Sequence, residues 1–271
     1  MEFGEGLPTY QLTGEYTLLE NSEEYVEEGV VACYKPVAED GIWLQLYRYA
    51  KEGLTLEDAV AADIAEYVPE VQGVTTHVSD TWDEAGDANY IYYMFFDTET
   101  YEEPYFVQVF TFEEEENFVQ AVFWTPVQTV AIGDSGFSAY IPVDMEAVDA
   151  AEVTDDPDLL WGYTDPEGEY ANIAAYVWET EATNGEEILA ELEEIDVEDE
   201  FEVLNSTAYE YEGYQCAFAE FNETTDDGEF YVFCIYTLVG DKVVCRSSFA
   251  PNDDDYMKAS IPALNWGLIA E

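Results

Sequence analysis

The chain has 271 residues, with 63 Asp and Glu against 6 Lys and Arg, a formal net charge of −57, and 48% hydrophobic and 16% aromatic residues. That much apolar material offsets the entropy of ordering and excludes a disordered chain. Phosphate recognition needs clustered Lys and Arg, so direct binding to nucleic acid is excluded, and an anionic membrane surface would repel the protein.

The six cations are Lys35, Arg48, Lys51, Lys242, Arg246 and Lys258, and none lies between Glu52 and Asp241. Ion pairing therefore contributes little over most of the fold, which burial must hold together against self-repulsion. Three readings of the acidity stay open: a solvated surface, a surface tuned for a cationic protein or weakly bound divalent cations, and adaptation to high salt. The wealth of Tyr, Phe and Trp argues against the last.

Met1-Glu2-Phe3-Gly4-Glu5 has neither a basic nor an apolar leader, and no stretch approaches the roughly 18 apolar residues of a membrane helix. The expectation is an extracytoplasmic protein, secreted or lipid-anchored, whose signal precedes this sequence; a cytoplasmic protein is the alternative. Residues 42–49 read as a strand bounded by Gly41 and Gly53. A helix follows, capped by Thr55 with Asp58 three residues on. Leu56, Val60, Ile64 and Tyr67 form its apolar stripe, and Pro69 forbids continuation. Runs 90–96, 105–112 and 118–124 read as strands. The first is apolar on both faces, with Tyr92, Met94 and Phe96 against Ile91, Tyr93 and Phe95, which predicts a sheet covered on both sides. Gly133-Asp134-Ser135-Gly136 reads as a linker between two halves.

Tyr140-Ile141-Pro142 opens a strand of the second half. Asn184 caps a second helix with Glu187 at its third position and Ile188, Leu192 and Ile195 as its stripe. Runs 214–221, 230–239 and 242–249 read as a second meander. Gly240-Asp241 fits a two-residue turn, with Gly at positive φ, that sets Val239 against Lys242 and Tyr236 against Cys245. The tail 256–269 reads as a helix or packed coil, with Asp253, Asp254 and Asp255 at its positive end and Pro262 kinking or restarting it.

The halves overlay at a shift of about 125 residues, Gly41 on Gly168, Tyr49 on Tyr176, Glu57 on Glu186, Tyr90 on Tyr214, Thr111 on Thr237 and Pro126 on Pro251. The fold class expected is α+β. Two similar domains, 1–131 and 132–271, each carry a mainly antiparallel sheet, one capped helix after the second or third strand, and a three-stranded meander. This order resembles the PsbP-like superfamily of α-β-α sandwiches, which includes the bacterial DcrB-like lipoproteins. The resemblance covers about residues 7–130 and 136–271. It implies a binding or adaptor role without catalysis and assigns no individual residue.

No catalytic constellation stands out. Gly133-Asp134-Ser135-Gly136 looks like a protease nucleophile phrase, but the single histidine, His77 in Thr75-Thr76-His77-Val78, has the wrong context to serve as its base. Cys33, Cys216, Cys234 and Cys245 are not spaced for a zinc site and read as buried thiols, Cys234 and Cys245 being diagonal neighbours on one face. The clusters 113–116, Asp155-Asp156-Pro157-Asp158 and Asp226-Asp227 lack the spacing of a calcium loop and read as turns or caps, leaving metal binding open. Trp43, Trp82, Trp124, Trp161, Trp178 and Trp266 read as core more than as a sugar platform. No cofactor is expected. The expectation is a non-catalytic extracytoplasmic binding or interaction protein. Alternatives are an acidic, immunity-like inhibitor of a cationic protein and a hydrolase using paired carboxylates.

Overall fold

The computed structural model describes residues 15–19, 30–38, 41–67, 78–79, 89–96, 103–149, 157–166, 171–194, 201–225, 228–265 and 268–270. The chain divides into two compact units, Met1–Val127 and Gln128–Glu271. The division falls inside a strand, a few residues before the boundary expected at 131.

The first unit contains β1 (Tyr16–Leu19), β2 (Val30–Pro36), β3 (Trp43–Ala50), α1 (Leu56–Tyr67), β4 (Val78–Ser79), β5 (Asn89–Phe96), β6 (Tyr105–Glu113) and most of β7 (Asn117–Ala131). Its antiparallel sheet runs β1-β2-β3-β7-β6-β5-β4. The expected cap of α1 is present: the Thr55 hydroxyl donates to Asp58 Oδ2 at 2.8 Å and accepts the Asp58 N–H at 3.1 Å. Helical spacing then lays Leu56, Ala59 and Val60 onto Met94, Val107, Val109, Phe118 and Val122 of the sheet. Ile91, Tyr93, Phe106 and Phe110, on the opposite face, are buried too, so the sheet is covered on both sides.

The second unit contains β8 (Phe137–Pro142), β9 (Glu146–Val148), β10 (Leu159–Thr164), β11 (Asn172–Glu179), α2 (Gly185–Glu194), β12 (Phe201–Tyr211), β13 (Tyr214–Thr225), β14 (Gly228–Val239), β15 (Lys242–Pro251), α3 (Asp255–Asn265) and β16 (Leu268–Ala270). Its main sheet runs β9-β10-β11-β15-β14-β13-β12. Strand for strand this is the first unit's order, with the helix after the third strand in each, so the internal repeat extends to topology. Asn184 Oδ1 accepts the Glu187 N–H at 3.0 Å and caps α2 as expected. Ile188 of α2 packs with Ala217, Ala219, Val232, Tyr236 and Val243. On the other face, the Ser248 hydroxyl donates to Asn265 Oδ1 of α3 at 3.2 Å, and the Ser260 hydroxyl accepts the Ala171 N–H at 2.8 Å.

The turn at Gly240-Asp241 holds the expected register, with Val239 opposite Lys242, Tyr236 opposite Cys245, and Gly240 at φ +67°. Three expectations are corrected. Residues 133–136 form a tight turn between β7 and β8 and not a linker. The Ile132 N–H donates to the Phe137 carbonyl at 2.8 Å, and Gly133 and Gly136 at φ +54° and +77° turn the chain within one hydrogen-bonded hairpin. The tail ends in a strand, β16, paired with β8, and α3 runs through Pro262 as one helix. Each meander has four strands and not three, because β4 precedes β5 and β12 precedes β13.

Candidate interaction edge

Strand β12 was not anticipated from the sequence, although its signal is present. Phe201, Val203, Thr207, Tyr209 and Tyr211 favour extended backbone. Glu212-Gly213, at φ +50° and +86°, then makes a two-residue turn into β13. Pairing runs from Tyr211 opposite Tyr214 to Phe201 opposite Glu223, with an irregularity between Val203 and Asn205. One face carries Ser206 and Ala208 toward α2. There Gly185 comes so close that an added Cβ would lie 2.2 Å from the Cys216 carbonyl oxygen and 2.9 Å from Ala208 Cβ. Tyr209 on the other face leans on Phe218, and burial pushes its phenol above the usual range.

Among the described residues β12 pairs with β13 alone, which makes it an edge of the sheet. The other edge strands among the described residues, β1, β4, β9 and β16, have 4, 2, 3 and 3 residues, whereas β12 has 11. Phe201, Val203, Leu204 and Tyr211 are 45, 61, 48 and 52% exposed. Glu202, Glu210 and Glu212 alternate with them; Glu202 accepts a hydrogen bond from Asn222 and Glu210 one from Gln215. The result is a long backbone edge, unpaired on its outer side among the described residues, with apolar ends and only negative charge.

The cations are placed elsewhere. Arg48 and Lys51 hold Glu114 and Glu113 at 2.8 and 2.6 Å, Lys258 meets Asp255 at 2.8 Å, and Lys35 lies 4.9 Å from the Trp43 ring centroid. Residues 113–116 thus form the β6–β7 turn, but two of their carboxylates are paired and not merely solvated. Arg246 is fully buried on β15, and burial lowers its guanidinium to about 9. Lys242 is exposed at the rim of a shallow depression of about 510 Å³, with Trp178, Val177, Asp158 and Glu179. Both carboxylates there are exposed, whereas a glycosidase acid needs a desolvated setting.

Ser135 Oγ accepts the Phe137 N–H at 3.1 Å within the β7–β8 turn. His77, Trp82, Trp266, Asp155, Asp156, Asp226 and Asp227 lie outside the described residues. Among the described residues no three His, Cys, Asp or Glu side chains are grouped to hold a metal ion. All four cysteines are buried free thiols, as expected. Trp124 and Trp178 pack against the cores under α1 and α2, and Trp161 donates to the Ala131 carbonyl at 3.0 Å.

No protein-family model matches the chain, and no curated protein matches it in sequence. Among solved structures, the solution structure of cyanobacterial PsbP (CyanoP) from Synechocystis sp. PCC 6803 is similar with a TM-score of 0.42 and 14% identity, over 54% of this chain and 92% of that one. A crystal structure from Bacteroides thetaiotaomicron VPI-5482 is similar with a TM-score of 0.36 and 16% identity, over 52% of this chain and 47% of that one. A PsbP thus stands among the structural neighbours, as the element order led one to expect. The likeness concerns fold alone.

Proposed function

We propose that the protein is a non-catalytic binding or interaction protein that acts outside the cytoplasm, its two units being α-β-α sandwiches. The observation that carries the reading is β12, among the described residues a long edge paired on one side alone, on which four exposed large apolar side chains, Phe201, Val203, Leu204 and Tyr211, share one strand. The absence of Lys and Arg between Glu52 and Asp241 supports the location, since it denies trypsin-like proteases any site there. A photo-crosslinking residue at Thr207, with a control at Glu57 on α1, tests both parts in cellular and extracellular fractions of the native source. Crosslinks at Thr207 in the extracellular fraction, without crosslinks at Glu57, are expected. Crosslinks at Glu57 alone would overturn the reading of the edge, and capture confined to the cytoplasmic fraction would overturn the location.

A second reading, an acidic inhibitor of a cationic protein, is favoured by the acids that border the same edge. It differs in outcome: the captured partner would lose its own activity on binding, at a rate of association that falls as salt rises.

A further inference from the structure

We propose that β12 takes up an extended, cationic segment of a partner protein by main-chain strand addition, as an eighth strand of the second unit's sheet. The inference rests on reading β12 as the interaction edge and adds the mode of binding and the chemistry of the partner.

The mode follows from the backbone. A strand paired on one side presents a row of N–H and C=O groups on the other, here along about 36 Å at 3.3 Å per residue. Proteins ordinarily blunt such an edge by shortening it or by placing Lys or Pro on it. The short β1, β4 and β9 follow that pattern, whereas β12 has neither device. From Asn205 to Tyr211 its pairing with β13 is in unbroken register, so seven residues can template an added strand. The irregularity at Val203 to Asn205 marks where such pairing stops, and the exposed Val203 and Leu204 beyond it offer apolar contact.

The partner's charge follows from what surrounds the edge. Glu202, Glu210 and Glu212 lie on or beside it, and α2 adds Glu186, Glu187, Glu191, Glu193 and Glu194. No Lys or Arg lies in α2, β12, β13 or β14. A second copy of this chain is a poor occupant, because edge-to-edge pairing would bring together two chains of −57 each. The same acids that refuse self-association favour a segment in which Lys or Arg alternates with apolar residues, as a period-two strand requires.

The test uses the whole protein with a labelled ten-residue peptide of alternating Lys and Val, the same peptide N-methylated at every residue, and an alternating Glu and Val peptide. Fluorescence anisotropy reads affinity, and amide hydrogen exchange reads the site. Binding of the Lys-Val peptide is expected, with slowed exchange at 201–211. Raising NaCl from about 50 to about 500 mM, which shortens the screening length to about a third, should weaken it. N-methylation keeps the charge but removes the main-chain donors, so affinity should fall at least about tenfold. The Glu-Val peptide should not bind. Equal binding of the methylated peptide, protection outside 201–211, or no binding of the Lys-Val peptide would each overturn strand addition. Capture at Thr207 without amide protection would also overturn it, while leaving the interaction edge standing.

Discussion

The Arg246 guanidinium donates from Nη2 to the Tyr140 carbonyl oxygen at 3.3 Å, and its Nε and Nη1 are buried without a hydrogen-bond partner among the described residues. Arg246, the one arginine of the second unit, is thus fully buried, and among the described residues no ion pair holds it. Its backbone lies opposite Ala175 and Ile235, and desolvation alone accounts for its lowered pKa. Replacing it with a hydrophobe of similar length removes that cost and keeps the packing. Arg246→Met should therefore be neutral or stabilising by up to about 1–4 kcal/mol in urea unfolding. The folded pKa is below the unfolded one, so the unfolded state binds more protons between about pH 9 and the ordinary arginine range. The wild type should gain on the variant as pH rises through that window. A gap that stays constant from pH 8 to 11 would contradict this.

Tyrosines act in the opposite sense. Burial, with Glu220 nearby, pushes the Tyr231 phenol above its usual range. A raised folded pKa gives stability that is present below about pH 10 and lost as pH rises beyond it. Thermal melts of Tyr231→Phe should show a shallower alkaline decline than the wild type. Parallel curves up to pH 11.5 would show that the phenol does not ionise on unfolding.

Gly185 tolerates no side chain. A methyl group at 2.2 Å from the Cys216 carbonyl must push α2 away from β13, so Gly185→Ala should cost roughly 1–3 kcal/mol or more, against a helix-propensity gain of under about 1 kcal/mol. Stability equal to wild type in chemical denaturation would refute the close approach.

The two helix caps lie in different units and should act independently. Thr55→Ala and Asn184→Ala are each expected to cost about 1 kcal/mol, and the double variant about the sum. Glu187 adds a pH dependence at the second cap. Hydrogen bonds from the Thr183 N–H and hydroxyl hold its carboxyl below the usual range. This stability is present above the ordinary glutamate pKa and is lost as pH falls through the lower folded value. Glu187→Gln should flatten that acid limb in calorimetry.

Self-repulsion should be visible in the melting temperature. With a formal charge of −57, moderate NaCl or millimolar calcium should raise Tm, each 1 kcal/mol amounting to about 2–4 °C for units of this order of size. A Tm indifferent to both would mean that the carboxylates are spaced too widely to matter.

What the sequence determined by itself lies within a few residues of where it is written. Thr55 with Asp58, Asn184 with Glu187, and the Gly240-Asp241 turn act over two to four positions. Their geometry could therefore be read directly, and from that turn the register that sets Tyr236 against Cys245. The two-fold repeat of strand and helix order was legible for the same reason. Only the tertiary structure decided which strand would be the free edge, that Arg246 would be buried while Lys242 stayed exposed, and that Gly133 to Gly136 would turn a hairpin and not link two halves. An edge is defined by the neighbour a strand lacks, and a buried charge by elements far away along the chain, Tyr140 lying 106 residues from Arg246. Such relationships arise when distant segments exclude water together, and no local pattern of residue types encodes them.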